Sequence, residues 1–224
     1  MSALEKALNG PVRDYVRPEK PVRPRDASSL VILRQRKGTT EVLMGRRASR
    51  HRFMPNVFVF PGGRVDNADR NALINGNLSK PVARKLEHKW PPVMAQALAV
   101  AAVRETFEET GLIIGEKQKK TGDILPNLAG LDYVARAITP SDSPMRFHAR
   151  FFCIDAELTT GRVRDSDELQ ALKWFSLAEA LAMPLVDVTE FVLREVERRI
   201  GGWTPPGVPL FSYRNGRAFI KYEG

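Results

Sequence analysis

Three glutamates in the stretch from Ala97 to Leu112 are spaced for one face of a helix. Glu105, Glu108 and Glu109 stand at positions i, i+3 and i+4, which are neighbours on a helix surface. Carboxylates crowded in this way repel one another unless a cation lies between them, and Mg²⁺ prefers such oxygen ligands. The alternative is an ordinary solvated acidic face. The spacing therefore predicts either a divalent-metal site or a charged surface, and the residues upstream favour the metal site.

A glycine turn stands upstream of this helix. A short apolar strand is predicted to end in the stretch FPGGRVD, which begins at Phe60 and contains Gly62 and Gly63. Glycines let a backbone approach a ligand closely. Taken alone, two glycines there are typical of a turn at the end of a strand. FPGGRVD followed by RETFEETGL, however, resembles the Nudix box of the Nudix hydrolases. That family's pattern is a Gly, five residues, a Glu, seven residues, and then Arg-Glu-hydrophobic-any-Glu-Glu-any-Gly-hydrophobic.

The second half of the box matches this pattern position for position. The matching residues are Arg104, Glu105, Glu108, Glu109, Gly111 and Leu112, with Gly63 as the opening glycine. Three features depart from the pattern: Asp69 stands where the first Glu is expected, Thr106 replaces a larger hydrophobic residue, and the spacer grows to 34 residues, 70–103. The resemblance spans residues 29–200.

A further resemblance concerns the residues just before the box. The stretch VLMGRRASRHRFMPNVFVFPGG is similar to the signature of coenzyme A diphosphatases, with Arg47, Ala48 and Arg52 at the expected spacings. Met44 stands where Thr is usual, and Asn56 where Gly is usual. Fixed arginines grip phosphate oxygens well, so the resemblance implies coenzyme A or an acyl-coenzyme A as substrate. The alternative is that both arginines are solvated surface charges.

The resemblance to the family implies a role for each matching residue. Glu105, Glu108 and Glu109 would hold Mg²⁺ or Mn²⁺, which binds the diphosphate and activates water. The groups expected to contact the substrate are Arg47, Arg52, Gly62 and Gly63. Asp66 and Asp69 would add ligands to the ion, directly or from its outer shell.

Proton transfer and orientation involve a second set of residues. Arg104 is expected either to orient one of the glutamates or to pair with Glu108. The base would be a glutamate of the box or Glu168, which ends the acidic stretch that starts at Asp165; a solvated turn is the alternative for that stretch. The residues expected to act in catalysis are Glu105, Glu109, Glu168 and Arg104.

The elements that must position these residues are mixed. Strands are predicted at residues 28–34, 40–45, 57–60, 131–138, within 146–158, and at 172–175. Helices are predicted over residues 82–88 and 97–112, from a capping box at Ser176–Glu179, and over residues 187–200. Residues 116–127 are expected to be a loop or short helix, and Asn215-Gly216 suggests a terminal hairpin. This is an α+β pattern, and the family resemblance implies an α/β/α sandwich around a mixed sheet.

The chain divides into an arm and one domain. Residues 1–27 are rich in Pro and Arg, which predicts an extended basic arm, and residues 28–224 form the domain. Residues 70–92 are an insertion within the box, expected to be a lid, a substrate wall, decoration or a dimer contact. Residues 203–224 form a C-terminal tail.

Composition sets the class of protein. The 224 residues carry a net charge of +9, and 43% of them are hydrophobic, which fits a globular chain with phosphate-bearing partners. The single cysteine, Cys153, cannot form an internal disulfide. No signal sequence or membrane span is predicted, so the protein is expected to be cytoplasmic. A small diphosphate substrate is the expected partner, with no membrane or nucleic acid, and a homodimer is the expected assembly.

Three functions stay open at this level. The first is a metal-dependent diphosphohydrolase acting on coenzyme A, and the second is the same chemistry on a dinucleotide coenzyme or nucleotide sugar. The third is a non-catalytic module of the same fold that binds RNA or nucleotides through its basic arm. The three crowded glutamates argue against the third, because a binding module has no evident need for them. A structural oligomer with a solvated acidic helix would show no Mg²⁺-linked stabilisation.

Overall fold

The computed structural model describes residues 18–20, 22–49 and 56–223. The strands are β1 (Arg25–Arg36), β2 (Thr39–Arg47), β3 (Phe58–Val59), β4 (Gly62–Arg64), β5 (Leu112–Ile113), β6 (Gly115–Lys117), β7 (Ile124–Pro126), β8 (Asp132–Ile138), β9 (Phe147–Asp155), β10 (Thr160–Gly161), β11 (Leu169–Ser176), β12 (Val208–Arg214) and β13 (Arg217–Glu223). The α-helices are α1 (Lys80–Glu87), α2 (Pro92–Thr110), α3 (Leu177–Ala182) and α4 (Asp187–Ile200). Short 3-10 helices span Ala68–Asn71 and Ala156–Leu158.

The described residues form a mixed sheet of nine strands. Its order is β11-β2-β1-β9-β8-β12-β13, with β3 beside β2 and β4 beside β1. β1 runs parallel to β9, and β12 runs parallel to β8, while the other pairs are antiparallel. One core packs α1 and α2 against one face of the sheet, and a second core packs α3 and α4 against the other. The predicted α/β/α sandwich is therefore confirmed.

The boundaries of some elements differ from the sequence-based expectations. β1 begins at Arg25 rather than at residue 28, because its first residues pair in parallel with β9. Residues 116–127 do not form a loop or short helix; β6 and β7 pair there as a hairpin that turns through Gly122, whose φ is 80°. The hairpin predicted around Asn215-Gly216 is present, and it joins the main sheet where β12 pairs with β8.

Helix α2 lies across the sheet, begins at Pro92 rather than at residue 97, and ends before Gly111. Proline occupies its first turn, where the missing N–H is tolerated, and Gly111 closes it in the left-handed conformation with a φ of 75°. Thr106, where the family pattern has a larger hydrophobic residue, is buried and donates its hydroxyl proton to the Ala102 carbonyl at 2.8 Å. Neither α2 nor any other helix in the described ranges is long and apolar enough to cross a lipid bilayer.

Much of the insertion at residues 70–92 is part of the core. Val82 and Leu86 of α1 are buried, and the partly buried side chains of Ala72, Ile74 and Leu78 pack against the same core as α2. The backbone of this segment is tied to the body of the domain, since the Asn75 N–H donates to the Pro126 carbonyl at 2.7 Å. The insertion therefore helps to hold α2 on the sheet.

Two arginines lie side by side beneath the indole of Trp90, just before α2 begins. Arg136 and Arg150 are paired residues on neighbouring strands β8 and β9. Their guanidinium carbons lie 5.5 and 4.2 Å from the centre of the Trp90 ring, within the range of cation–π attraction. The side chain of Arg150 is completely buried.

Each of these arginines has a carboxylate partner. Arg150 donates to Asp26 at 2.5 Å, and Arg136 donates to Glu223. Arg136 also donates to His148 Nε2 at 2.8 Å. Burial, followed by the charges of the two arginines, lowers the pKa of His148 to about 3, so this histidine is neutral at physiological pH. We call this group the Trp90 cluster; its members are Trp90, Asp26, Arg136, His148, Arg150 and Glu223.

Candidate active site

The last two turns of α2 present the three predicted glutamates to different environments. Glu109 is buried at 8% exposure, and the side chain of Glu105 is 14% exposed. The side chain of Glu108 is 52% exposed. The helix therefore buries Glu109, covers most of Glu105 and leaves Glu108 at the surface.

Strand β4 brings the glycine turn against these carboxylates. The backbone N–H of Gly62 donates to Glu109 Oε2 at 2.8 Å. A side chain at Gly63 would collide with the carboxylate of Glu105, so only glycine permits this close approach. The strand is held in place because it pairs antiparallel with β1 through residues 62–64.

Burial makes the two inner carboxylates reluctant to ionise. Burial raises the pKa of Glu109 to about 8, against the lowering effect of the Gly62 N–H, and the charges of Glu105 and Glu168 raise it further. Burial also raises the pKa of Glu105, although Arg104 acts to lower it. Carboxyl groups are thus concentrated in a partly desolvated place, and a cation bound there would favour their ionised forms.

Arg104 connects the helix to the start of the insertion. It donates to both carboxylate oxygens of Asp69, at 2.9 and 3.0 Å, in the two-point geometry that suits a guanidinium. It also donates to Glu105 and Glu108, each at 3.0 Å. Burial acts to lower the pKa of Arg104, but Asp69 and the glutamates raise it well above its ordinary value. Both arrangements expected for Arg104, orienting a glutamate and pairing with Glu108, occur together.

The two aspartates of the predicted site differ in position. Asp69 is buried at 2% exposure and accepts the backbone N–H of Asp66 at 2.7 Å as well as the guanidinium of Arg104. The side chain of Asp66 is 66% exposed and lies 3.9 Å from Arg104. Asp69 therefore supports Arg104, and the structure gives Asp66 only a distant contact with it.

Arg47, in β2, and Glu168, just before β11, interact electrostatically with the helix carboxylates. Arg47, the last residue of β2, is paired with Leu169 of β11, and the next N–H, that of Ala48, donates to the Glu168 carbonyl at 3.0 Å. Burial lowers the pKa of Arg47, while the charges of Glu109 and Glu168 act to raise it. These interactions bring Arg47 and Glu168 within electrostatic range of Glu109. Arg52 lies outside the described residues.

The donors suit a divalent cation that is shared with a substrate. Among residues 18–20, 22–49 and 56–223, no group of three or more Asp, Glu, His or Cys side chains lies close enough to enclose a metal ion. Mg²⁺, however, is usually bound by one or two carboxylates together with substrate phosphates and water. Glu105 and Glu109 supply such a pair, so the residues present fit this kind of site.

Two features of the site have little signal in the sequence. One is the use of Asp69 as a two-point partner of Arg104, which only its place in the box pattern suggested. The other is the tight loop that carries Glu168, where the hydroxyl of Ser166 accepts the N–H groups of Glu168 and Leu169 at 3.3 and 3.0 Å. Short Ser- and Asp-rich stretches form such turns often, but the turn type cannot be read from composition.

Comparison with known proteins gives a consistent family assignment. The sequence model of the NUDIX domain matches residues 23–196. An acyl-coenzyme A diphosphatase, NUDT19 of Xenopus laevis, is 25% identical over 206 residues, which covers 63% of this chain and 54% of that protein. A putative nudix hydrolase 7 of Caenorhabditis elegans is 28% identical over 151 residues, covering 57% of this chain and 43% of that protein. The chain thus spans about half the length of the curated relatives it matches.

Solved structures share the fold. A NUDIX hydrolase from Alicyclobacillus acidocaldarius superposes with a TM-score of 0.56 at 26% identity, covering 77% of this chain and 90% of that one. A MutT protein from Methanosarcina mazei superposes with a TM-score of 0.51 at 20% identity, covering 82% of this chain and 98% of that one. The second likeness concerns the fold alone.

Proposed function

The chain belongs to the NUDIX family, and we propose that it is a metal-dependent diphosphohydrolase whose substrate is coenzyme A or an acyl-coenzyme A. The observation that carries the proposal is the meeting of the buried carboxylate of Glu109 and the partly buried carboxylate of Glu105 with the backbone of Gly62 and Gly63. Arg47, which would bind phosphate, interacts electrostatically with Glu109. Carboxylates, a close backbone and an arginine are the groups that a metal-bound diphosphate requires.

The reaction adds water across the P–O–P bond of the diphosphate. Mg²⁺ or Mn²⁺, held by Glu105 and Glu109 with Glu108 at the rim, would neutralise the phosphate oxygens and lower the pKa of bound water. The oxygen of the attacking water forms a bond to one phosphorus, and the bond from that phosphorus to the bridging oxygen breaks. The water loses a proton, and the leaving phosphate keeps the bridging oxygen. From coenzyme A the products are 4′-phosphopantetheine and adenosine 3′,5′-bisphosphate.

The residues of the chain have distinct tasks in this scheme. The Gly62 N–H fixes the orientation of Glu109, and Arg104, itself held by Asp69, fixes Glu105. Arg47 grips a phosphate oxygen of the substrate, and Gly63 leaves the space that the Glu105 carboxylate occupies. Glu168 is our candidate for the base that takes the proton from the attacking water, and its charge acts on both inner glutamates.

Two observations favour coenzyme A over other diphosphates. Arg47 stands at the position that the coenzyme A diphosphatase signature gives to an arginine, and it is half buried beside the carboxylates rather than solvated. The similarity to an acyl-coenzyme A diphosphatase covers the greater part of this chain. Coenzyme A has a diphosphate and a 3′-phosphate, which also suits a chain with a net charge of +9.

The test is product release from a panel of diphosphates with Mg²⁺, with Mn²⁺ and with neither. The panel contains coenzyme A, acetyl-coenzyme A, NADH, ADP-ribose, a dinucleoside polyphosphate and the nucleoside triphosphates. Metal-dependent release of adenosine 3′,5′-bisphosphate from the coenzyme A substrates is the expected result. Turnover of a different diphosphate would retain the hydrolase and reject coenzyme A, whereas no turnover on any member would contradict the proposal.

A matched pair of arginine variants tests the substrate contact. Arg47→Ala is expected to raise the KM for coenzyme A by about tenfold or more, because a charge-assisted phosphate contact is lost. The exposed neighbour Arg46 provides the control, and Arg46→Ala is expected to change KM little. Equal KM values for the two variants would remove Arg47 from the phosphate site.

A further inference from the structure

The first residues of β11, which follow Glu168 directly, contain an irregularity in their pairing with β2. Leu169 and Gln170 pair with Arg47 and Arg46, but the next paired residue is Lys173, opposite Met44. The extra residue makes a β-bulge, a feature that re-aims neighbouring side chains. Within it, Ala171 has a φ of 51°, a left-handed conformation that non-glycine residues rarely adopt unless other contacts hold them there.

The carboxylate of Asp165 supplies such contacts. Its Oδ2 accepts the N–H of Ala171 at 2.8 Å, and its Oδ1 accepts the N–H of Leu172 at 3.0 Å. Both N–H groups belong to the bulge, so the backbone groups displaced from the sheet ladder are satisfied by one side chain. Asp165 therefore closes residues 165–172 into a ring.

The closed loop is joined to the active site by its backbone. The N–H of Ser166 donates to the Leu169 carbonyl at 2.9 Å, which sets a tight turn through Glu168. The Glu168 carbonyl accepts the N–H of Ala48, next to Arg47, at 3.0 Å. The buried side chain of Leu169 lies against Gly45 of β2 and anchors the turn. A shift in the bulge would change how β11 pairs with β2, and with it the position of Glu168 relative to Arg47 and Glu109.

We propose that Asp165 is a positioning residue, whose carboxylate holds the β11 bulge so that Glu168 faces Arg47 and the inner glutamates. The assignment rests on the proposed hydrolase function, because Glu168 is the group through which Asp165 acts. The hydrogen bonds that the Asp165 carboxylate makes to Ala171 and Leu172 both go to the backbone of its own loop. Its removal should therefore lower kcat through Glu168 and leave KM nearly unchanged.

The experiment is a double-mutant cycle between Asp165 and Glu168. Asp165→Ala is expected to lower kcat on the order of tenfold, because a small displacement of a reacting group from its productive position slows the chemical step. Glu168→Gln is expected to lower kcat about 100-fold, as loss of a general base does. The double variant should be no slower than Glu168→Gln alone. Asp165→Asn should be intermediate between Asp165→Ala and the wild type, because its amide oxygen accepts one of the two N–H groups and its NH2 group cannot accept the other. Independent, multiplying losses would overturn the proposal.

The matched control is Asp155, another exposed aspartate whose Oδ1 accepts a loop N–H, that of Glu157, at 2.9 Å. Asp155→Ala should leave kcat unchanged. If Asp155→Ala and Asp165→Ala lower kcat equally, the effect is general loosening of loops and the proposal is wrong. Normal turnover by Glu168→Gln would also refute it, while leaving the hydrolase function intact.

Amide hydrogen exchange tests, without a substrate, whether Asp165 holds the bulge. In Asp165→Ala the N–H groups of Ala171 and Leu172 should lose protection, and the N–H of Ala48 should lose it with them. Unchanged protection at Ala48 would show that the bulge does not position Glu168, whatever the activity. If the wild type turns over no diphosphate, the proposed function fails, and this exchange pattern still decides whether Asp165 holds the loop.

Discussion

Two clusters of buried charge lie at opposite ends of α2, and they are balanced differently. In the Trp90 cluster each arginine has a carboxylate partner within the chain, and the histidine between them is neutral. At the other end, Glu105 and Glu109 share their surroundings with Glu168, and burial raises the pKa values of both helix glutamates. The helix of 19 residues that separates the clusters is about 28 Å long.

The difference indicates what each cluster is for. Charges that are paired with carboxylates and covered, as beside Trp90, hold strands and helix together. Carboxylates that outnumber their arginines are costly to bury, and such sites are typical of function. The comparison supports the proposal that the acidic end is the place of chemistry and that the Trp90 end is a structural support.

The largest expected effect is at Glu109. Glu109→Gln should lower turnover about 100- to 1000-fold, the range found when one group that stabilises a transition state is removed. The melting temperature should not fall, because an amide is buried in place of a carboxylate whose pKa is raised. Steady-state kinetics and thermal melting, with the exposed Glu157→Gln as control, measure both. A variant that keeps its activity within a few-fold would move the chemistry away from α2.

The next effect is at the other end of the helix and concerns stability. Arg150→Leu should cost about 2 kcal/mol of unfolding free energy, because a buried ion pair loses one partner while Asp26 stays partly exposed. Turnover of the folded variant should stay within about twofold of the wild type, since stability and chemistry are separate here. Denaturant unfolding measures the loss, with the exposed Arg217→Leu as control. Lost activity at unchanged stability would break the comparison.

Two aspartates near Arg104 test whether its orientation matters at the acidic end. Asp69→Ala should lower kcat on the order of tenfold, because Arg104 loses its two-point partner and no longer fixes Glu105. Asp66→Ala should have little effect, because the side chain is exposed and lies 3.9 Å from Arg104. Steady-state kinetics on both variants separates them. Equal losses would mean that the acidity of the region matters and the orientation of Arg104 does not.

The smallest expected effect is a change of folding stability with pH, which arises from His148 in the Trp90 cluster. His148 has a folded pKa of about 3, below its ordinary value of 6.5, so the unfolded chain takes up the proton first. This contribution to stability is present above pH 6.5 and is lost as the pH falls toward 3. His148→Gln should therefore show a shallower fall in melting temperature over this range than the wild type. The control variant His88→Gln, at an exposed position, should show the same fall in melting temperature with pH as the wild type. If His148→Gln also showed the wild-type fall, His148 would not be the source of the pH dependence.

The two ends of α2 also differ in how far the sequence predicts them. Glu105, Glu108 and Glu109 lie close in sequence, so helical periodicity alone puts them on one face. Arg104 could be expected to reach Glu108 for the same reason. The meeting with Gly62 could be expected only from the family resemblance, since 47 residues separate Gly62 from Glu109.

The Trp90 cluster had no such signal. Arg136 and Arg150 become neighbours only when β8 and β9 pair with a shifted register near Tyr133, and alternation within one strand does not reveal its partner's register. Asp26 is 124 residues from Arg150. The hairpin at β6 and β7 was missed for a local reason, because its polar residues have no periodicity that favours strands.

The most direct test of the account is a Mn²⁺ titration followed by the paramagnetic signal of the free ion, on the wild type, Glu109→Gln and Arg150→Leu. The account predicts that the wild type binds Mn²⁺, that Glu109→Gln binds about tenfold more weakly or worse, because a charged ligand is lost, and that Arg150→Leu binds as the wild type does. Equal binding by the wild type and Glu109→Gln, or no binding by the wild type, would contradict the claim that the acidic end of α2 is a cation site.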